Sequence, residues 1–227
     1  MSSGPVARST DLPPAWKSVL SVVAHPDDEY AGLGAVLDAF IFAGATVRVL
    51  CLTHGQTWTL DDAPGDLAAL RGAEMASAAD VLGAIRGQLL PSLDGELNKV
   101  SQMQLAAQVV AEAEACHADG LLAFDTAGLT GHLDQVAATL AVLSAAETVT
   151  LPVLGWNFSE TVATQLSLEL GTGIAGDRDN DIDLRVSFER ARQRLASHAP
   201  LDQTLPAGAS WRRLQLLADS GCLRWLL

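Results

Sequence analysis

The feature that most constrains the fold is a series of short apolar runs that alternate with segments of helical composition. The clearest runs cover residues 18–23, 46–52, 121–124 and 151–156. They are too apolar to leave one face in water, which is typical of strands buried on both sides in a parallel sheet. The sequence therefore predicts an α/β fold, with a doubly wound, mostly parallel sheet and helices on both faces.

The segments between and after these runs complete the predicted order of elements. Helices are predicted over 31–43, 66–82 and 101–117, the last with Ser101 as N-cap, and residues 131–146 are predicted to be a loop followed by a helix. Residues 88–90 predict a short strand, residues 188–198 a helix, and residues 211–227 an amphipathic stretch. We interpret residues 1–15 as an irregular leader and residues 16–227 as a single α/β domain.

Composition excludes several classes of partner. Asp and Glu number 27 against 14 Lys and Arg, which gives a net charge of −13 and argues against nucleic acid or an anionic membrane as partner. No transmembrane segment or signal peptide is predicted, and three scattered cysteines favour the reducing cytoplasm. Only two of the 14 basic residues are lysines, a bias that suggests a bacterial genome of high GC content. Homo-oligomerisation is left open.

Polar residues cluster where the predicted strands end. In doubly wound sheets, ligands bind beyond the carboxyl ends of the strands. Directly after the first strand stand His25, Asp27, Asp28 and Glu29. An N-cap with acids in a first helical turn would account for Asp28 and Glu29. It would not account for His25, nor for adjacent carboxylates, which repel each other unless a cation or a shared proton relieves them.

A second polar segment follows the strand at 121–124. Its residues 128–135 read G-L-T-G-H-L-D-Q and include His132 and Asp134. Taken alone, this segment is explained as well by a glycine-rich turn with Asp134 capping a helix as by a functional site. A phosphorelay receiver domain also carries acids after its first strand, but Lys17 and Lys99 are both misplaced for the lysine that a receiver needs, so that class is rejected.

Taken together, the two segments are specific. A-H-P-D-D-E at 24–29 and G-H-x-D at 131–134 resemble motifs of the LmbE-like, or PIG-L-like, family of zinc-dependent N-acetylglucosaminyl deacetylases. The resemblance covers about residues 17–200. Weaker matches support it: Thr53, Gly55, Arg71, Glu74, Asp94, Gly95, Leu97 and His198.

The resemblance implies a hydrolase that removes the acetyl group from an N-acetylglucosaminyl-type conjugate. It implies that His25 and Asp28 bind zinc, that Asp27 is the general base and acid, and that His132, oriented by Asp134, stabilises the oxyanion. A catalytic metal with an open position for water suits this chemistry. The substrate-binding residues proposed on this basis are Glu29, Trp58, Arg71 and Asp94.

The sequence departs from the family at Gln135, where the second motif should end in a histidine ligand. An amide oxygen suits Mg, Ca or Mn better than zinc. Gln135 could ligate weakly through this oxygen, or His132 or His54 could supply the third ligand. Alternatively the metal is lost, and the chain is a degenerate family member that acts as a ligand-binding protein.

Overall fold

The computed structural model describes residues 13–25, 28, 33–53, 83, 85–92, 94–128, 131–170, 173–178, 181–187 and 220–227. Within them the strands are β1 (Ser18–Val23), β2 (Thr46–Thr53), β3 (Ile85–Ser92), β4 (Gly120–Phe124), β5 (Val153–Asn157), β6 (Leu184–Ser187) and β7 (Ser220–Trp225). The helices are α1 (Gly34–Phe42), α2 (Gln102–Ala115), α3 (Leu133–Val149) and α4 (Glu160–Leu170), with a 3-10 turn at Leu97–Lys99.

The described strands form one sheet in the order β3-β2-β1-β4-β5-β7-β6. The first five of these strands are parallel, and β7 pairs antiparallel with both β5 and β6. The predicted doubly wound, mostly parallel α/β fold is therefore confirmed. Because chain order reverses between β1 and β4, the loops that follow these two strands diverge and leave a crevice at the carboxyl edge.

The core lies in two layers, one on each face of the sheet. Val19 and Val23 of β1 pack on one face with Phe40 of α1, while Leu20 and Val22 pack on the other face with α2 and α3. Successive strand residues point to opposite faces, so a strand covered on both sides must be apolar at nearly every position. This explains why the apolar runs predicted the strands so well.

Several predicted elements differ from the structure. The strand predicted at 88–90 extends over Ile85–Ser92, and its Pro91 is tolerated because β3 is an edge strand. Ser101 is the N-cap residue of α2, as predicted, but its side chain makes no capping hydrogen bond. Part of the amphipathic stretch at 211–227 is strand β7, which the alternation of helices and strands did not predict. Residues 1–12 of the predicted leader at 1–15 lie outside the described residues, and so do the helices predicted at 66–82 and 188–198.

Candidate active site

The polar segments after β1 and β4 meet at the crevice between these two strands. The His25 and His132 rings lie edge to face, with centroids 4.8 Å apart. Asp94, which follows β3, and Asp134, in the first turn of α3, reach the same point. The sheet thus brings together residues that are more than 100 positions apart in the chain.

His25 is surrounded by carboxylates. Its Nε2 lies 2.8 Å from Asp94 Oδ1 and 3.2 Å from Asp134 Oδ2, while its Nδ1 lies 3.8 Å from Asp28 Oδ2. Burial lowers the pKa of His25, but its interactions with Asp28 and Asp94 outweigh burial and raise the pKa to about 11. Because carboxylates only accept hydrogen bonds, Nε2 carries a hydrogen. The other ring nitrogen, Nδ1, faces Asp28.

Asp134 is fully buried and joins three parts of the site. Its Oδ2 accepts a hydrogen bond from the Gly95 N–H at 2.6 Å, and its Oδ1 accepts one from the Leu97 N–H at 3.0 Å. Its own main-chain N–H donates to His132 Nδ1 at 3.2 Å, so His132 is the N-cap of α3. The described contact that orients His132 is therefore made by the main chain of Asp134, while the carboxylate supports His25.

Asp28 closes the turn after β1. Its Oδ2 accepts hydrogen bonds from the main-chain N–H groups of Ala24, at 3.0 Å, and His25, at 2.8 Å. Its Oδ1 accepts a hydrogen bond from Gln135 Nε2 at 2.8 Å. The carboxylate thus has two main-chain partners on one oxygen and the Gln135 amide on the other.

The donor groups fit a divalent cation. When a histidine binds a metal, its second ring nitrogen usually donates to a carboxylate, and Asp94 and Asp134 already hold Nε2 of His25 in this way. His25 Nδ1, the Asp28 carboxylate and the Gln135 amide are the adjacent groups that could hold the ion. His25, His132 and Asp134 form a second set, with ligand atoms within 4.8 Å of one another, but both Asp134 oxygens already accept main-chain hydrogen bonds.

The predicted site residues divide into those that the structure brings together and those that it does not describe. His25, Asp28, His132, Asp134 and Gln135 converge as their positions after β1 and β4 imply. Asp94, predicted to bind substrate, is 6% exposed and contacts His25. Asp27, Glu29, His54, Trp58 and Arg71 lie outside the described residues.

Sequence reasoning named Asp94, Gly95 and Leu97 as family matches but missed that they support His25 and Asp134. The main-chain N–H groups of Gly95 and Leu97 leave no signal in side-chain chemistry. The contact between Asp94 and His25 did have one, because an Asp-Gly pair directly after a strand belongs to the same carboxyl edge as the two motifs. Together these features define a doubly wound α/β protein with a site of imidazole and carboxylate groups at its switch point.

Comparison with known proteins identifies the family. The PIG-L family, described as GlcNAc-PI de-N-acetylase, matches residues 20–146. This match covers more than half of the chain, which therefore belongs to the PIG-L family. The predicted LmbE-like or PIG-L-like resemblance is confirmed, and so is the predicted class of enzyme, an N-deacetylase.

Individual relatives are consistent with this family. The chain is 26% identical, over 86% of its length and 85% of the relative's, to a 1D-myo-inositol 2-acetamido-2-deoxy-alpha-D-glucopyranoside deacetylase of Rhodococcus jostii. Its fold is similar to that of an N,N'-diacetylchitobiose deacetylase from Pyrococcus horikoshii, at a TM-score of 0.68 and 21% identity over 93% of this chain and 84% of the other.

The fold alone does not determine the reaction. A 4-carboxy-2-hydroxymuconate hydratase from Pseudomonas putida has a similar fold at a TM-score of 0.67, with 14% identity over 93% of this chain and 96% of the other. The residues of the site must therefore carry the functional argument.

Proposed function

We propose that this chain hydrolyses the acetamide bond of an N-acetylglucosaminyl conjugate and releases acetate and a free amine. The observation that carries the proposal is the convergence of His25, Asp28, His132 and Gln135 at the crevice between β1 and β4. A divalent cation, zinc by family resemblance, would be held by His25, Asp28 and Gln135. When bound, such a cation lowers the pKa of water and polarises the amide carbonyl.

His132 is suited to stabilise the oxyanion that forms on the acetamide oxygen. Its Nδ1 accepts the Asp134 N–H, so in the neutral ring the hydrogen is on Nε2. His132 is exposed, and an Nε2–H donor held by the end of a helix is preorganised for a developing negative charge. Asp134 contributes to this role through its main chain.

Asp27 is proposed as the general base and acid. Its neighbours in sequence, His25 and Asp28, are held by other parts of the site and are proposed to bind the cation, so neither is the proposed base. A carboxylate next to the cation could take a proton from the attacking water and return it to the departing amine. The sugar would be bound by Glu29, Trp58 and Arg71, while Asp94 supports His25 instead of contacting the substrate.

The proposed setting is the bacterial cytoplasm, with a small sugar conjugate as substrate. Cys51, Cys116 and Cys222 are all present as thiols in the structure, as suits a reducing compartment. Within the described residues, no helix has the length and apolar character that crossing a bilayer needs.

The test is release of acetate by the full chain after its metal has been removed and then replaced by Zn²⁺, Mn²⁺ or Mg²⁺. The probe substrates are N-acetylglucosaminyl inositol and N,N'-diacetylchitobiose. We expect cation-dependent release of acetate, and loss of release in Asp27→Asn. No release from either conjugate with any of these cations would contradict the proposal.

A binding protein of the same fold is the second candidate, because Gln135 donates to Asp28 where the family has a histidine ligand. Saturable binding of either conjugate without release of acetate, with and without cations, would favour this candidate.

A further inference from the structure

The hydrogen bond between Gln135 and Asp28 bears directly on how the site holds a cation. Gln135 Nε2 lies 2.8 Å from Asp28 Oδ1, and the two residues are 6% and 5% exposed. Gln135 lies in the first turn of α3, and Asp28 closes the turn after β1. The bond therefore connects the two sides of the crevice at the position of the proposed ion.

The orientation of this amide follows from the chemistry of its partner. A carboxylate only accepts hydrogen bonds, so the nitrogen end of Gln135 must face Asp28 when nothing lies between them. A cation repels an N–H group and is attracted by an amide oxygen. A cation that binds Asp28 Oδ1 must therefore break the hydrogen bond, and Gln135 must turn to present Oε1.

The resulting donor set favours a harder cation than a set with two imidazoles does. His25 would supply one nitrogen, and Asp28 and Gln135 would supply oxygen. Carboxylate and carbonyl oxygen suit Mg²⁺, Ca²⁺ and Mn²⁺, whereas imidazole suits zinc, copper and iron. Loss of one imidazole should lower zinc affinity more than Mn²⁺ affinity.

We propose that Gln135 is an exchangeable ligand: its oxygen binds the cation, its nitrogen returns to Asp28 when the cation leaves, and the site discriminates little between zinc and Mn²⁺. This inference deepens the proposed function, because it names the class of cation for that same site. It predicts loose, reversible binding, since each binding event breaks a buried hydrogen bond.

The test measures cation binding without any substrate. The full chain is stripped of metal, and zinc is titrated by calorimetry while Mn²⁺ is followed by the electron paramagnetic resonance of the free ion. We expect Gln135→His to tighten zinc binding by about 10–100-fold or more and Mn²⁺ binding by less, which raises the ratio of the two affinities. Gln135→Ala should weaken Mn²⁺ binding by about 10-fold or more, because an oxygen ligand is lost.

Two further variants control the experiment. Gln108→His adds an imidazole on the exposed side of α2 and should leave both affinities unchanged. Gln135→Glu keeps an oxygen ligand and should bind Mn²⁺ more tightly than the wild type, so it tests ligation if Gln135→Ala fails to fold. Thermal unfolding of each metal-free variant verifies its fold.

Two results would overturn the inference. Unchanged or tighter Mn²⁺ binding by a folded Gln135→Ala would mean that the Gln135 oxygen is not a ligand. Equal zinc affinity in the wild type and Gln135→His would mean that another residue, such as His132, completes the site. Neither measurement depends on acetate release, so failure of the proposed deacetylation and failure of this inference are distinguished.

Discussion

The carboxyl edge of the sheet holds two buried clusters of acids, and they differ in how their charge is balanced. The candidate active site places Asp28, Asp94 and Asp134 around His25 and Gln135. A second group, which we call the arginine cluster, consists of Asp125, Asn157, Asp177 and Arg224. Both lie next to the carboxyl ends of parallel strands.

The arginine cluster has its cation built into the chain. Arg224 of β7 donates a hydrogen bond to Asp125 Oδ2, and its Nη1 lies 4.0 Å from Asp177 Oδ1. Asp177 Oδ1 also accepts a hydrogen bond from Asn157 Nδ2 at 3.2 Å. A guanidinium never loses its charge in proteins, so this cluster needs no ion from solution.

In the candidate active site, by contrast, the positive charge is carried by the His25 imidazole and is not permanent. Imidazole can release its proton, and an amide can turn from donor to acceptor, so an external cation can replace the interactions of His25 and Gln135. The comparison teaches that buried acids alone do not mark a site. The groups that neutralise them decide whether an external ion can take part.

The largest expected effect tests whether the candidate site is catalytic. Replacing Asp27 with Asn removes the proposed base without changing its size, so turnover should fall by about 100-fold or more. Bound metal should stay, because His25 and Asp28 remain. The measurement is acetate release together with metal content. If Asp27→Asn loses the metal, then Asp27 is a ligand and the roles assigned to the two aspartates are exchanged.

The next effect tests whether the arginine cluster is structural. Arg224→Gln leaves the Asp125 carboxylate buried without its cation, and we expect the free energy of unfolding to fall by about 1–3 kcal/mol. This figure lies below that of a fully buried pair because the Arg224 side chain is 33% exposed. Urea unfolding measures it.

A matched control for Arg224 lies elsewhere on the sheet. Arg48 of β2 pairs with Glu112 of α2 at 2.8 Å, and its side chain is 29% exposed. Because Glu112 is more exposed than Asp125, Arg48→Gln should cost less than Arg224→Gln. Equal costs would mean that burial of the acid does not set the effect.

The pH dependence of stability should distinguish the titratable charge of His25 from the permanent charge of Arg224. In the metal-free protein the pKa of His25 is raised from 6.5 to about 11 by facing Asp28 and Asp94, with Asp134 and His132 also in contact. Its stabilising contribution is complete below pH 6.5 and is lost as the pH rises towards 11. The loss is at most about 1.4 kcal/mol per pH unit.

Urea unfolding in the presence of a chelator, between about pH 6 and pH 9, measures this slope. His25→Gln should flatten it, whereas Arg224→Gln should not. A slope that is the same in His25→Gln and the wild type would contradict the assignment to His25.

The smallest expected effect concerns Asp177. Burial raises the pKa of this carboxyl group, Arg224 opposes that rise, and Asp177 Oδ2 has no hydrogen-bond partner among the described residues. Asp177→Asn removes the cost of burying a charge and also the attraction of Arg224, so stability at pH 7 should change by less than about 1 kcal/mol. A larger loss in urea unfolding would show that Asp177 is as important to the cluster as Asp125.

Much of the fold could be predicted from local sequence. β1, β2 and β4 were predicted to within one residue at each end, since strands covered on both faces are apolar throughout. β7 was not predicted, because an antiparallel strand inserted between β5 and β6 carries no chain-order signal. Ser101 was correctly predicted as the N-cap residue of α2, but its side chain makes no capping hydrogen bond, because that bond depends on side-chain orientation.

The family, the strands around the switch point and the residues gathered there could all be predicted from the sequence. Motifs and apolar runs are local properties of the sequence, so they can be recognised without a structure. Three sets of contacts became known only from the folded structure. Asp94 and Asp134 hold His25, the main-chain N–H groups of residues 95 and 97 hold Asp134, and Gln135 donates to Asp28. These contacts join residues from different strand ends, and no local pattern specifies which atom of one faces which atom of another.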